Sequence, residues 1–276
     1  MTAIAVDPAH DPTQTRTVPR QHAAARRIPL SRVTRIELRK MFDTRSGFWL
    51  MASIAITATI ATVAVVLFAA DDSLTYSSFG AAVGVPMTIV LPMIAILSVT
   101  SEWSQRSGLT TFTLVPSRGR VILAKALAAV GVAVVSMLLA LAIGAIGNVV
   151  GAAINGTPQV WDISFVDSLQ IILGNVLGLL AGFMLGVLIR NSPGAIVAYF
   201  VYSLVLPSLA AILAANQEWF RDAQPWVDVN YAQSMLFSTE GALTGAQWAH
   251  IAVTGVIWLV IPLAVGLRML MRSEIK

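Results

Sequence analysis

Six long apolar segments recur along the chain, separated by shorter polar ones. Each is long enough to cross the roughly 30 Å hydrocarbon core of a bilayer, which takes about 20 helical residues. A period-two alternation of apolar and polar positions is absent, which favours helices over a barrel. The pattern predicts an all-α integral membrane protein with six transmembrane helices, at Phe48–Ala70, Phe79–Val99, Val121–Val150, Leu169–Ile189, Gly194–Ala215 and Trp248–Leu270.

The composition excludes a soluble domain and several kinds of chemistry. Hydrophobic residues make up 57% of the 276 positions and charged residues only 12%, whereas soluble domains carry about one quarter charged residues. There are no cysteines, and the three histidines lack metal-ligand spacing, so disulfides, thiol catalysis and a metal centre are not expected. No catalytic residue set and no phosphate-binding loop is present, which predicts that the chain is not an enzyme and holds no cofactor.

The basic residues predict the orientation in the membrane. With six spans, seventeen of the eighteen Lys and Arg residues fall on one side, and only Arg221 falls on the other. Positive loops face the cytoplasm, so both termini are expected there, with the longest outer segment at Asn216–Gln247. The net charge of +4 is then a topology signal, and no nucleic-acid partner is expected.

The N-terminal part divides into a leader and an interfacial helix. Residues 1–29 mix Pro, Gln, Asp and Arg without periodicity, which predicts a disordered cytoplasmic leader. Residues 30–47 are predicted to form an amphipathic helix on the membrane surface, preceding the permease domain at 48–276. Its predicted apolar side holds Val33, Ile36, Met41 and Phe42, while Arg32, Arg35, Arg39 and Lys40 extend toward lipid headgroups. Alternatively, it is only a basic anchor that sets the topology.

The absence of charged residues at the centres of the spans indicates how transport would be driven. Their central residues include no Asp, Glu, Lys, Arg or His, although intramembrane charges usually mark proton relays and ion pathways. This weakens the hypothesis of a proton-coupled carrier. The free energy for transport would then come from a partner or from the solute gradient, which directs attention to a cytoplasmic contact site.

The polar loop between the second and third spans is the candidate for that contact. Gly108 permits a turn, Pro116 ends any helix, and Lys125 lies just inside the third span. Glu102 can pair with Arg106 or with Arg118 and so fix the shape of the loop. The candidate residues are Glu102, Arg106, Gly108, Pro116, Ser117, Arg118 and Lys125. The alternative is an ordinary loop whose arginines only set the topology.

These residues resemble a motif of a known family. The series Glu102-Trp-Ser-Gln-Arg106-Ser-Gly108, then Pro116-Ser117-Arg118 and Lys125, is similar to the inner loop of type-2 ATP-binding-cassette (ABC) transporter permeases. Leu109 departs from the Thr that often follows the turn glycine. The resemblance implies that this loop is a coupling helix contacting an ATPase subunit, and that Glu37, Arg39 and Lys40 belong to an elbow helix before the first span.

Further expectations follow from the resemblance alone. It implies a permease subunit of an ATP-driven exporter in the plasma membrane of a prokaryote, paired with a second permease copy, identical or a paralogue. A separate cytoplasmic ABC ATPase would bind the ATP and Mg. The absence of charge along the spans suits a hydrophobic or amphiphilic substrate such as a drug, peptide or lipid. Similar permeases carry short re-entrant helices in the aromatic-rich outer segment; an interfacial cap for the sixth span is the alternative.

A glycine series on the fourth span has two interpretations. Gly174, Gly178, Gly182 and Gly186 are spaced four apart and share one helix face, with Asn175 beside them. Small residues at this spacing allow close helix packing in lipid. A smooth face lining a path for a bulky apolar substrate is the other interpretation.

Two rival functions remain open at this stage. A self-sufficient secondary transporter or channel would give flux in liposomes without an ATPase. A membrane scaffold without transport activity would show no substrate-dependent ATP turnover.

Overall fold

The computed structural model describes residues 28–43, 45–104 and 118–272. Nearly all of these residues are helical, and none belongs to a strand beyond one isolated bridge between Thr75 and Val160. The helices are α1 (Leu30–Asp43), α2 (Arg45–Phe68), α3 (Tyr76–Ser104), α4 (Arg118–Asn155), α5 (Phe165–Ile189), α6 (Ser192–Asn216), α7 (Glu218–Val227), α8 (Val229–Ser234) and α9 (Gly245–Arg272).

Six of these helices are long and apolar enough to cross a membrane: α2, α3, α4, α5, α6 and α9. The predicted number of spans is therefore confirmed for the described part of the chain, and the protein is a multi-pass membrane protein. Most of the helices extend beyond the predicted apolar segments, because polar residues at the ends can continue a helix after the hydrophobic stretch stops, although α2 ends at Phe68, two residues before the predicted end. The third span, for example, begins at Arg118 instead of Val121.

Local sequence signals define the start of α5 and the tight connection from the end of α5 to α6. Ser164 and Asp167 form a capping box at the start of α5, which satisfies backbone donors that a helix leaves free. Arg190 ends this helix in the left-handed conformation, with a φ of 56°. The Asn191 side chain then accepts a hydrogen bond from the Gly194 amide at 2.9 Å and starts α6.

Two spans contain a π-helical segment that hydropathy does not predict. The segments are Val201–Val205 in α6 and Val256–Val260 in α9. A proline follows each after one further residue, at Pro207 and Pro262. A proline ring clashes with the carbonyl four residues earlier, and the wider π turn gives that carbonyl room. α6 and α9 therefore continue past their prolines. α3 also continues past two prolines, Pro86 and Pro92.

The glycine face of α5 lies against neighbouring helices. A Cβ atom built on Gly182 would stand 2.8 Å from the Pro92 carbonyl oxygen of α3, and one on Gly186 would stand 3.3 Å from Val99 Cβ. One built on Gly174 would stand 2.7 Å from the Phe237 ring. Close packing thus accounts for these three glycines.

Gly178 and Asn175 differ from the other members of the series. Among the described residues, the only atom within 4 Å of a Cβ built on Gly178 is the Tyr199 hydroxyl, 4.0 Å away. The Asn175 amide donates to the Ile171 carbonyl of its own helix, and its buried Oδ1 accepts from no described group. The path interpretation stays open at this point of α5.

Candidate functional site

A cluster of charged and polar groups, centred on a buried ion pair, joins α1 to α3 and α4. It consists of Glu37, Lys40, Lys125 and the Ser98 carbonyl, and is called the Glu37 cluster below. Lys125 Nζ donates to Glu37 Oε2 at 2.6 Å and to the Ser98 carbonyl at 3.1 Å. Lys40 Nζ donates to the other oxygen, Glu37 Oε1, at 2.7 Å. One lysine therefore connects α1, α3 and α4.

The sequence of α1 places Glu37 on the face that packs against the bundle. Val33 is buried, Met41 packs against the main core, and Glu37 lies between them at a spacing of four residues. The predicted apolar side is therefore not the same as the face that packs against the bundle, and its contact with lipid stays a prediction. Ile36 and Phe42 are about half exposed, because the face toward the bundle passes through Val33, Glu37 and Met41 instead.

Burial makes this ion pair unlike a surface salt bridge. The side chains of Glu37 and Lys125 are only 4% and 5% exposed, and a buried charge is strongly unfavourable unless it is paired and hydrogen-bonded. On the same helix, Arg39 pairs with Asp43 at 3.3 Å, but these side chains are 81% and 61% exposed. Of the three predicted elbow residues, Glu37 and Lys40 belong to the cluster and Arg39 does not.

The electrostatics of the cluster fix Glu37 in its charged form. Burial by itself raises the pKa of the carboxyl group, but the Lys125 ammonium, assisted by Lys40, outweighs this effect. The pKa of Glu37 therefore lies below its ordinary value of 4.5. A lowered carboxyl pKa stabilises the fold above the unfolded-state value, and that stability is lost as the pH falls through the folded-state value.

Acidification is therefore expected to destabilise the protein through Glu37. The thermal midpoint in mild detergent should fall as the pH drops below the ordinary carboxyl pKa of 4.5 and through the lower pKa of folded Glu37, because the carboxylate must be protonated. Glu37→Gln should flatten this profile. Asp43→Asn, which removes an exposed carboxylate from the same helix, should leave it unchanged. Identical profiles for wild type and Glu37→Gln would contradict this role for the cluster.

Further contacts hold the helix ends around this cluster. The Arg120 guanidinium donates to the Ile28 carbonyl at 2.8 Å, tying the start of α4 to the segment before α1. The hydroxyls of Thr100 and Ser192 are 2.7 Å apart and join the last turns of α3 to the start of α6. The described residues on both sides of positions 105–117 are thus attached to neighbouring helices.

Most of the predicted coupling residues lie outside the described part of the chain. Arg106, Gly108, Pro116 and Ser117 lie outside the described residues, as do the side chains of Glu102 and Arg118. The pairing of Glu102 with either arginine stays a prediction. Lys125 is the only predicted loop residue whose side chain is described, and its partner is Glu37.

Sequence reasoning identified Glu37 and Lys125 separately but missed that they pair. A lysine just inside an apolar helix needs an acidic partner at the same membrane depth. Only Glu37, Asp43 and Glu102 lie within the chain near the predicted cytoplasmic ends of the first three spans. That shortage of carboxylates is the signal that could have suggested the pair.

The other end of the bundle has its own polar contacts. Asp162 accepts from the backbone amide and the hydroxyl of Ser77, and the Asn148 amide donates to the Val160 carbonyl at 3.0 Å. Gln170 donates to the Gly241 carbonyl, and Asp167 accepts from the Gly241 amide. These contacts fix the connections between spans. Within the described ranges, no three His, Asp or Glu side chains gather as a metal site would require.

No family model matches the chain, and no curated protein matches it.

Proposed function

We propose that this chain is the permease subunit of an ATP-driven exporter of the type-2 ABC class. A separate cytoplasmic ATPase would bind ATP and Mg, and two permease copies would enclose the pathway. The end with the Glu37 cluster faces the cytoplasm of a prokaryote, with both termini on that side and α1 as the elbow helix on the membrane surface. The substrate class is hydrophobic or amphiphilic: a drug, a peptide or a lipid.

The observation that carries this proposal is the Glu37–Lys125 ion pair. It connects α1 to both helices that flank positions 105–117, through Lys125 on α4 and the Ser98 carbonyl on α3. A force applied to that loop would act on α3, α4 and α1 as one unit. Such a mechanical junction suits a protein that receives work from a cytoplasmic partner.

Two further features support the proposal. The centres of the spans carry no Asp, Glu, Lys, Arg or His, which favours an external source of free energy over a proton-driven cycle. The surfaces of α2 and α6 are largely unburied, with exposed apolar side chains such as Ile60, Leu204 and Leu209. Lipid and a second permease copy are both suited to such surfaces.

The test is an affinity pulldown of the tagged chain from its native membrane in mild detergent, followed by mass spectrometry. We expect stoichiometric recovery of a protein that carries a phosphate-binding loop. Arg118→Glu should reduce that recovery, whereas the same charge change at the other end of the bundle, Arg221→Glu, should not.

Two outcomes would contradict the proposal. Recovery of the folded chain alone would favour a secondary transporter, which should then give flux in liposomes without an ATPase. Equal recovery of the ATPase with both variants would contradict the assignment of the contact to the loop at 102–120.

A further inference from the structure

An apolar groove lies at the end of the bundle opposite the Glu37 cluster. Its volume is about 360 Å³. The second half of α6 forms one wall and the short helices α7 and α8 form the other, with the Trp258 ring of α9 between them. Apolar side chains dominate the lining, among them Leu206, Leu209, Leu213, Phe220 and Val227.

The polar groups in the walls are engaged with each other. Trp258 Nε1 donates to the Val227 carbonyl at 2.7 Å, and Asn230 Nδ2 donates to the Tyr202 carbonyl at 3.1 Å. Both carboxylate oxygens of Asp228 accept, one from two backbone amides of α8 and the other from Gln224 Nε2. The groove therefore favours an occupant that makes apolar contacts.

The position of the groove in the membrane indicates what that occupant is. Leu206, Leu209 and Leu213 belong to the transmembrane segment Ser192–Asn216, so this wall lies at bilayer depth. Leu209 is 58% exposed within the chain. At this depth the surrounding solvent consists of lipid acyl chains.

A cation lies next to two of the residues that line the groove. Arg221 follows Phe220, and its Nε donates to the carbonyl of Ala214, the residue after Leu213, at 3.1 Å. It is the only Lys or Arg between Arg190 and Arg268. Its terminal guanidinium nitrogens bind no described group, and it forms no ion pair with a described carboxylate. A guanidinium with free N–H groups is a good partner for a phosphate.

We propose that the groove holds one acyl chain of a phospholipid from the leaflet that faces α7 and α8, with the lipid phosphate on Arg221. Charge complementarity at Arg221 and apolar contact inside the groove select a phosphate-bearing lipid over a neutral one. The exposed Trp219, two residues before Arg221 on α7, fits the headgroup level, where tryptophan is favoured. This inference does not depend on an ATPase partner.

Native mass spectrometry of the full chain, released from nanodiscs containing equal amounts of phospholipid and diacylglycerol, tests the proposal. The wild-type protein should retain one phospholipid in preference to diacylglycerol. Arg221→Gln should lower phospholipid retention about tenfold, as expected for the loss of a charged hydrogen bond. Arg272→Gln, at the other end of α9, should have no effect.

A second pair of variants tests the groove itself. Ala210→Trp adds bulk inside it and should abolish retention of the bound lipid, whereas Ala211→Trp adds the same bulk one residue away on α6 and should not. Circular dichroism would verify that both variants are folded.

Three results would overturn the proposal. Equal retention of phospholipid and diacylglycerol by the wild-type protein would show that the phosphate is not recognised. Undiminished retention by Arg221→Gln or by Ala210→Trp would show that the lipid binds elsewhere. Conversion of a dimer to a monomer by Ala210→Trp, with lipid retention unchanged, would identify the groove as an interface between two copies of the chain.

Discussion

Lys125→Met is expected to destabilise the protein by about 3 to 5 kcal/mol, the usual effect of removing one partner from a buried ion pair. The substitution leaves the Glu37 carboxylate, with its 4% exposed side chain, without the ammonium at 2.6 Å. Lys40 cannot replace it, because its own side chain is 47% exposed and already occupies the other carboxylate oxygen. The Ser98 carbonyl also loses the Lys125 donor. Denaturant unfolding in mixed micelles, followed by circular dichroism, measures the free energy of unfolding.

A double-mutant cycle separates the ion pair from general packing effects. Lys125→Met combined with Glu37→Met should recover much of the lost stability, because apolar replacements of a whole buried pair are often neutral. The matched control is the exposed pair on the same helix. Arg39→Met should cost less than about 1 kcal/mol, as is usual for surface salt bridges. Additive effects of the two substitutions in the cluster would contradict direct coupling between Glu37 and Lys125.

The hydrophobic pattern predicted the six spans because the bilayer imposes a length and a composition on any helix that crosses it. The pattern also suggested that α1 is amphipathic, but not which side meets the bundle. Ile36 and Phe42 are as apolar as Val33 and Met41, and only the packing against α4 distinguishes them. An interfacial helix exposes apolar residues to lipid as well as to protein, so hydropathy alone does not identify its buried face.

Contacts between distant positions were not predicted from the sequence. Glu37 and Lys125 lie 88 positions apart, and the sequence indicates their pairing only through the shortage of carboxylates near the cytoplasmic ends of the first three spans. The π segments were missed for a different reason, since a π turn has the same apolar composition as the helix around it. The groove beside Arg221 depends on the π segment that contains Trp258 and on two short helices, so it appears only in three dimensions.

Gly182→Ala is expected to destabilise the bundle by about 1 to 3 kcal/mol, the typical cost of overpacking a close contact. The new Cβ would stand 2.8 Å from the Pro92 carbonyl oxygen and 2.9 Å from Pro92 Cα. Because these are backbone atoms, a side-chain rotation cannot relieve the contact, and α3 and α5 must move apart. The loss should exceed the gain of roughly 0.5 to 1 kcal/mol that alanine brings to a helix interior.

Gly131→Ala on α4 is the matched control, because a Cβ at this exposed position meets no atom of the described residues within 4 Å. It should be neutral or stabilise by up to about 1 kcal/mol. The difference between the two variants, measured by unfolding in the same micelles, isolates the helix contact from helix propensity. If Gly182→Ala were as stable as Gly131→Ala, α3 and α5 would not be in close contact there. The glycine face would then be open, and its interpretation as the wall of a substrate path would be favoured over tight packing.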